Sequence, residues 1–184
     1  NIIKQLNMEF KDVMKKRRST RRYTGQPVEK EKLMRAMELV LRAPSSKNTR
    51  STRLMAVTDL KRAQKLGKLR DYGSSLLEEA GAAIIILGDE EASPMWQTNA
   101  TIMASYLQLA LVDEGLASCW VHVGDYRTLQ DDPNSQRSED YVKELFPEIP
   151  ANYRVWSVIG VGYADYTPKP LPEYEGPERI IFIE

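Results

Sequence analysis

The segment from Pro94 to Val123, PMWQTNATIMASYLQLALVDEGLASCWVHV, decides how the rest of the chain must be arranged. Trp96, Ala100, Ile102, Met103, Ala104, Leu107, Leu109, Ala110, Leu111 and Val112 put small or apolar side chains on nearly every side of a helix. A helix of that kind belongs in a core. Ser93 suits its N-cap, Pro94 the first helical position, and Gly115 the stop. The span is about 21 residues, roughly 31 Å at the helical rise, enough to cross a small domain. Leu116 to Val123 then reads as a strand entered straight from the helix.

Working outward, AAIIIL at residues 82–87 is a continuous apolar run, which suits a strand buried on both faces. Arg53 to Thr58 reads as a further strand. Asp59 caps a short basic helix to about Leu69, and Gly73, Ser74 and Ser75 start another helical piece. Leu33, Met37, Val40 and Leu41 line one face of a helix over residues 29–43, which Pro44 ends. Ile2, Ile3, Leu6, Phe10, Val13 and Met14 sit at helical spacing over residues 2–16.

Beyond the central unit, residues 124–137 form a polar loop long enough to be functional. Ser138 is placed to cap a helix to Phe146, which Pro147 and Pro150 break, and residues 153–161 read as a strand. Pro168, Pro170, Pro172 and Pro177 force an extended arm, and it ends in the strand signal IIFIE at residues 180–184. Strands separated by helices predict one α+β domain over residues 1–184, with a mixed sheet between helices. A terminal strand at the end of a long arm has the reach to pair with a neighbouring subunit's sheet edge, which points to a homodimer.

The 184 residues carry 26 Lys and Arg against 26 Asp and Glu. The absence of net charge disfavours a wholesale nucleic-acid or membrane-surface role. Gln97, Asn99, Gln108, Asp113 and Glu114 argue against a membrane span for the central helix, and no leader pattern is visible. Cys119 is the one cysteine, so no internal disulfide forms; a reducing, cytoplasmic location is expected. Its apolar strand makes it a packed thiol. His122 is the one histidine, and its strand favours packing over catalysis. Zinc hydrolysis and Cys–His catalysis therefore lack their residues, and no metal site is expected.

Two stretches have the donors for an anionic or heterocyclic ligand. Arg17, Arg18, Arg21 and Arg22 surround Ser19 and Thr20, an arrangement able to grip phosphate oxygens with guanidinium forks and a hydroxyl. A solvated basic turn after a helix accounts for the same residues. Pro44-Ser45-Ser46-Lys47-Asn48 offers hydroxyls, an amide and free backbone N–H groups after a helix end, either as an edge for a polar heterocycle or as an ordinary connector. Gly160 and Gly162 follow a strand, but without a third glycine or a following helix they do not make a dinucleotide fingerprint.

Taken in order, RRSTRRY, a helix, APSSKN, WQTNATIMASYLQLALVDEGLASCW and YRVWSVIGVGYADYTPKP resemble the nitroreductase family of FMN-dependent oxidoreductases, from about Met14 to Glu184 and closest to its short members. The resemblance implies a mainly antiparallel central sheet flanked by helices, with the C-terminal strand exchanged onto the dimer partner. It implies a homodimer with FMN at the interface, NAD(P)H as hydride donor, and a small electron acceptor (nitroaromatic, quinone or similar) reduced by a ping-pong mechanism.

By the same resemblance, Arg17 and Ser19, with Arg18 beside them, meet the FMN phosphate and ribityl chain. Arg21 lies near the pyrimidine edge, where its charge favours the reduced flavin. Pro44, Ser45, Ser46 and Asn48 come from the other subunit. The strand around His122 and Val123 turns backbone N–H groups towards flavin N5, and Gly160, Gly162 and Lys169 serve the phosphate. The sequence departs from the family after Asn48: Arg50-Ser51-Thr52-Arg53 replaces Gln-Pro-Trp, leaving a more cationic mouth. Reductive dehalogenation or flavin fragmentation is the alternative within the family. A non-catalytic module gripping RNA or a phosphorylated partner is the alternative outside it.

Overall fold

The computed structural model describes residues 8–169, 171 and 179–184. Strands β1 (Thr52–Val57), β2 (Ala82–Asp89), β3 (Ala117–His122) and β4 (Tyr153–Gly162) form one sheet in the order β1-β2-β4-β3, with every neighbouring pair antiparallel. Helices α1 (Phe10–Lys16), α2 (Lys30–Val40), α3 (Leu60–Lys65), α4 (Trp96–Asp113) and α5 (Ser138–Leu145) flank it. The α+β class is as expected. The isolated bridge between Ser19 and Ser118 is parallel, so the chain ahead of α2 extends the β3 edge in mixed fashion.

The apolar run in β2 is continuous because both of its faces are covered. Ala82, Ile84 and Ile86 pack with Leu33, Ala36 and Val40 of α2 and with Ala100, Ala104 and Leu107 of α4. Ala83, Ile85 and Leu87 point the other way, into a cluster with Ala63, Leu66, Leu77, Val142 and Phe146. Alternation of side chains along a strand produces this division. Each fully buried isoleucine stabilises the fold by roughly 1.5–3 kcal/mol relative to an exposed one.

Several local expectations need correction. Helix α4 is 18 residues long and starts at Trp96. Ser93 and Pro94 lie in the preceding turn, where the Ser93 hydroxyl accepts the Met95 N–H at 3.1 Å. The helix is not buried all round: Gln97, Thr101, Ser105 and Tyr106 are exposed, Tyr106 to 47%. Ser138 does not cap α5, because its hydroxyl donates to the Leu69 carbonyl at 2.6 Å. Asp59 does cap α3, accepting the Arg62 N–H at 3.2 Å.

The loop after β3 is ordered rather than open. Arg127 bridges Arg137, and the Arg70 guanidinium lies 3.7 Å from the centre of the Tyr126 ring. Residues 2–7 of the expected opening helix, and Pro170, Pro172 and Pro177 of the arm, lie outside the described residues. Residues 181–184 are not a strand in the isolated chain, and Ile183 is 95% exposed.

Candidate active site

The chain leaves α1 at Arg17 in an extended conformation and runs along the outer edge of β3. The Thr20 N–H donates to the Ser118 carbonyl at 3.0 Å. Extended backbone alternates its side chains, so Arg17, Ser19 and Arg21 share one side and Arg18 and Thr20 the other. The four arginines do different jobs. Arg18 donates to the carbonyls of Lys15 at 2.5 Å and Arg17 at 2.8 Å, closing the end of α1. Arg22 pairs with Asp165 at 3.0 Å.

Arg17 and Arg21 carry no ion pair among the described residues, and Arg21 donates only to the Ser19 carbonyl, at 3.3 Å. Burial pushes the Cys119 thiol up, while the Arg21 and Arg17 guanidiniums pull it down. Both cations therefore stand beside this strand, and Cys119 is the packed thiol expected. Lys169 is exposed, next to Pro168, which borders a cleft of about 260 Å³ with Lys16, Arg18 and Thr20.

The Pro44–Asn48 loop is built quite differently. Lys47, Asn48 and Arg50 have φ of 50°, 53° and 49°, three non-glycine residues in the left-handed region within four positions. Such conformations cost energy and persist only where surroundings enforce them. Enforcement comes from Asn99, in the first turn of α4 and only 2% exposed. Its side-chain oxygen accepts the Ser46 N–H at 2.8 Å, and its amide donates to Ser51 Oγ at 2.9 Å and Thr49 Oγ1 at 3.3 Å. Ser45 Oγ accepts the Arg50 N–H at 3.0 Å. In the sequence Asn99 argued only against a membrane span. A lone buried-side amide in the first turn of an apolar helix was the signal available.

At the far end of β3, His122 sits half-buried in an aromatic group, 4.7 Å from the centre of Trp156 and 5.6 Å from Tyr126. Burial and then the Arg70 cation push its pKa below the ordinary imidazole value, against an opposing pull from Asp125. Trp156 is the extra residue of a β-bulge, where the β2–β4 register shifts between Ile86 and Leu87. Its carbonyl accepts the N–H of both Val123 (3.1 Å) and Gly124 (3.2 Å), and its indole donates to Thr101 Oγ1 at 2.8 Å. The Val123 N–H is thus already engaged within the chain. Bulges of this kind re-aim side chains beside functional sites, but nothing in the sequence distinguished Trp156 from an ordinary strand residue.

Gly160 and Gly162 do not form an anion cradle. Both are buried in β4; a Cβ on Gly160 would stand 2.9 Å from Leu76 Cδ1, and one on Gly162 2.9 Å from Tyr23 Cδ1 and 3.1 Å from the Gly81 nitrogen. The Tyr23 ring occupies the space at Gly162, Leu76 and Leu77 that at Gly160, and the Tyr23 hydroxyl donates to the Gly160 carbonyl at 3.1 Å. The glycines admit these side chains.

Within the chain the two donor-rich segments are not neighbours. Ser19 is tied to Ser118, beyond the C-terminal end of α4, and Ser46 to Asn99 at its N-terminal end. The part of α4 between them, from Asn99 to Asp113, is roughly 21 Å long at 1.5 Å per residue. Among the described residues no hydrogen bond or ion pair joins them. Along the same helix, Phe10, Met14, Leu39, Tyr106 and Leu109 line an apolar groove of about 610 Å³ between α1, α2 and α4. No helix among the described residues is long and apolar enough to cross a membrane, and no three potential metal ligands gather there.

An antiparallel sheet between helical layers, with basic and serine-lined segments at opposite ends of one long helix, defines an α+β protein with a divided polar site. The nitroreductase family model matches residues 14–70 and 62–163. A solved FMN-dependent nitroreductase from Clostridium difficile R20291 is 34% identical, with a TM-score of 0.84 over 94% of this chain and 98% of its own. A protein of Methanothermobacter thermautotrophicus named as a putative NADH dehydrogenase/NAD(P)H nitroreductase is 27% identical over 176 residues, 94% of this chain and 86% of that relative. An iodotyrosine deiodinase from Thermotoga neapolitana is 24% identical over 194 residues, 92% of this chain and 95% of that relative. The chain belongs to the nitroreductase family and is an oxidoreductase.

Proposed function

We propose that this protein is a homodimeric, FMN-dependent oxidoreductase that takes hydride from NAD(P)H and reduces a small acceptor such as a nitroaromatic or a quinone by a ping-pong mechanism. The observation that carries the reading is the separation of the two segments along α4. A two-fold axis that packs two α4 helices antiparallel brings the basic end of one protomer beside the serine loop of its twin. The apolar groove along α4 supports that packing, since an exposed patch of this kind is what an interface covers. The C-terminal IIFIE segment, exposed in the isolated chain, then has a second sheet edge to join.

The residues fit the cofactor. Among the described residues Arg17 and Arg21 are guanidiniums without carboxylate partners, set with Ser19 on one side of an extended segment, and such groups suit phosphate and ring oxygens. Lys169 adds a cation next to Pro168, by the cleft that Arg18 and Thr20 line. Ser45, Ser46 and Asn48 of the twin, following Pro44, present polar atoms from a backbone that Asn99 has already fixed, so little ordering remains for binding. His122 and Val123 form a wall at the end of β3. Arg18 keeps its structural task at the end of α1.

When bound, FMN supplies the hydride chemistry, accepting hydride at N5 and passing it on. The chain's part is to hold that group, exclude water from it and stabilise its reduced form electrostatically through Arg21. No protein acid or base is required, in keeping with a neutral, packed His122 and a packed Cys119. The absorbance spectrum of the purified protein tests the reading. A flavin spectrum, present at purification or after adding FMN, is expected; none in either condition overturns it. The deiodinase relative favours one second reading, reductive dehalogenation on the same site. Reduced enzyme assayed against halogenated phenols and nitroaromatics in parallel separates the two.

A further inference from the structure

Arg50 and Arg53, from the cation-rich stretch that follows the serine loop, both border one cleft. The Arg53 guanidinium lies over the Tyr153 ring, 4.6 Å from its centre. Arg50 stays at the loop, where it lines that cleft of about 280 Å³ together with Pro44, Ser45, Thr52, Asn99 and Met103. Its guanidinium donates through Nε to an amide oxygen, Asn48 Oδ1 at 3.3 Å, and not to a carboxylate. Lys47 is exposed beside it, and neither cation has an ion pair among the described residues.

Asp89 is held near this loop by its N–H bond to the Ser51 carbonyl at 2.8 Å, but its carboxylate is occupied by the N–H groups of Glu91 and Ala92 and the amide of Asn152. Thr52 lines the same cleft, is buried, and its hydroxyl oxygen has no hydrogen-bond partner. Two cations, Arg50 and Arg53, and a hydroxyl unpartnered among the described residues therefore line a partly apolar cleft, with Lys47 exposed on the adjoining strained, pinned loop. A cavity of about 150 Å³ takes a benzene ring, so this one has room for a substituted ring.

We infer that Arg50, with Lys47, selects ligands carrying an anionic oxygen group, a carboxylate or a phosphate, at the mouth of the site. The inference rests on the proposed flavin site, since it makes the cleft the approach to it. The anion belongs either to a carboxylated aromatic acceptor or to the 2′-phosphate of the nicotinamide donor. In both cases a guanidinium fork without a carboxylate partner is the group that recognises it.

The test uses the FMN-loaded enzyme and compares kcat/KM for 4-nitrobenzoate with that for 4-nitrobenzamide, and for NADPH with that for NADH. It is run on the native chain, Arg50→Gln, Arg50→Lys and Lys47→Gln. Exposed charge contacts are individually modest, so a preference for the anionic member of one pair by roughly two- to fivefold is expected. Arg50→Gln abolishes it through KM, Arg50→Lys largely retains it, and Lys47→Gln weakens it. The pair that responds identifies the source of the anion. Equal kcat/KM within both pairs for the native enzyme, or preferences untouched by Arg50→Gln, overturns the inference while leaving flavin binding intact. Failure to bind flavin at all overturns the proposed function instead.

Discussion

Replacing Asn99 by Ala removes the tie between α4 and the strained loop, and its cost can be worked from the geometry. Two well-formed bonds vanish, to the Ser46 N–H at 2.8 Å and to Ser51 Oγ at 2.9 Å. At about 1 kcal/mol net for each, the loss is about 2 kcal/mol. Lys47 and Arg50 hold left-handed conformations, which cost about 1 kcal/mol or more for each non-glycine residue. Tie and strain are thus of similar size, so without Asn99 the loop relaxes for much of the time. Relaxation returns part of the lost energy, so the expected result is a fall in Tm of at most about 4–8 °C, on the usual conversion for chains of this size. Amide exchange should quicken over residues 45–51 and FMN affinity should fall. An unchanged Tm together with unchanged exchange in that loop would refute the reasoning.

Gly162→Ala forces a Cβ against Tyr23 and the Gly81 backbone; a loss of about 1–3 kcal/mol in denaturant unfolding is expected, whereas reduced FMN affinity with full stability would return Gly162 to a phosphate role. Glu139 is 4% exposed; burial opposes its ionisation, but the Arg154 bonds at 2.9 and 3.0 Å, the Val155 N–H and Lys143 outweigh it and hold its pKa below the ordinary carboxylate value. Its stabilisation is therefore present above the unfolded carboxylate pKa of 4.5 and is lost as pH falls through the lower folded value, so Glu139→Gln should be less stable near neutrality and show a flatter acid limb in a urea–pH series. Arg21→Ala should lower the midpoint potential of bound flavin by about 20 mV, the scale of an exposed charge contact; an unshifted potential removes Arg21 from the tuning role.

Much of the frame was legible because it depends on local chemistry. The β2 run had to be covered on both faces, Asp59 had to cap the basic helix after it, and the Trp96–Asp113 helix had to pack on the sheet. The open face of that helix was not legible, because composition alone does not distinguish residues buried within a protomer from those left for a neighbour. Ser138 failed as a cap because a tertiary acceptor, the Leu69 carbonyl, captured its hydroxyl. Within the site, the sequence singled out the Arg17–Arg21 and Pro44–Asn48 segments. It did not reveal that Arg18 and Arg22 are used within the fold, that Tyr23 fills the space beside Gly162 and two leucines that beside Gly160, or that Asn99 sets the loop. Each depends on contacts between residues far apart in sequence, and pattern along the chain carries no record of them.

Mixing two inactive variants tests the central claim most directly. One protomer carries Arg17→Glu, the other Asn48→Glu, and each alone is expected to form dimers that do not hold FMN. If a site takes its basic residues from one chain and its serine loop from the other, random exchange restores FMN to about a quarter of the sites, because half of the dimers are mixed and each has one intact site. Mixed dimers that bind no more FMN than either parent would contradict it.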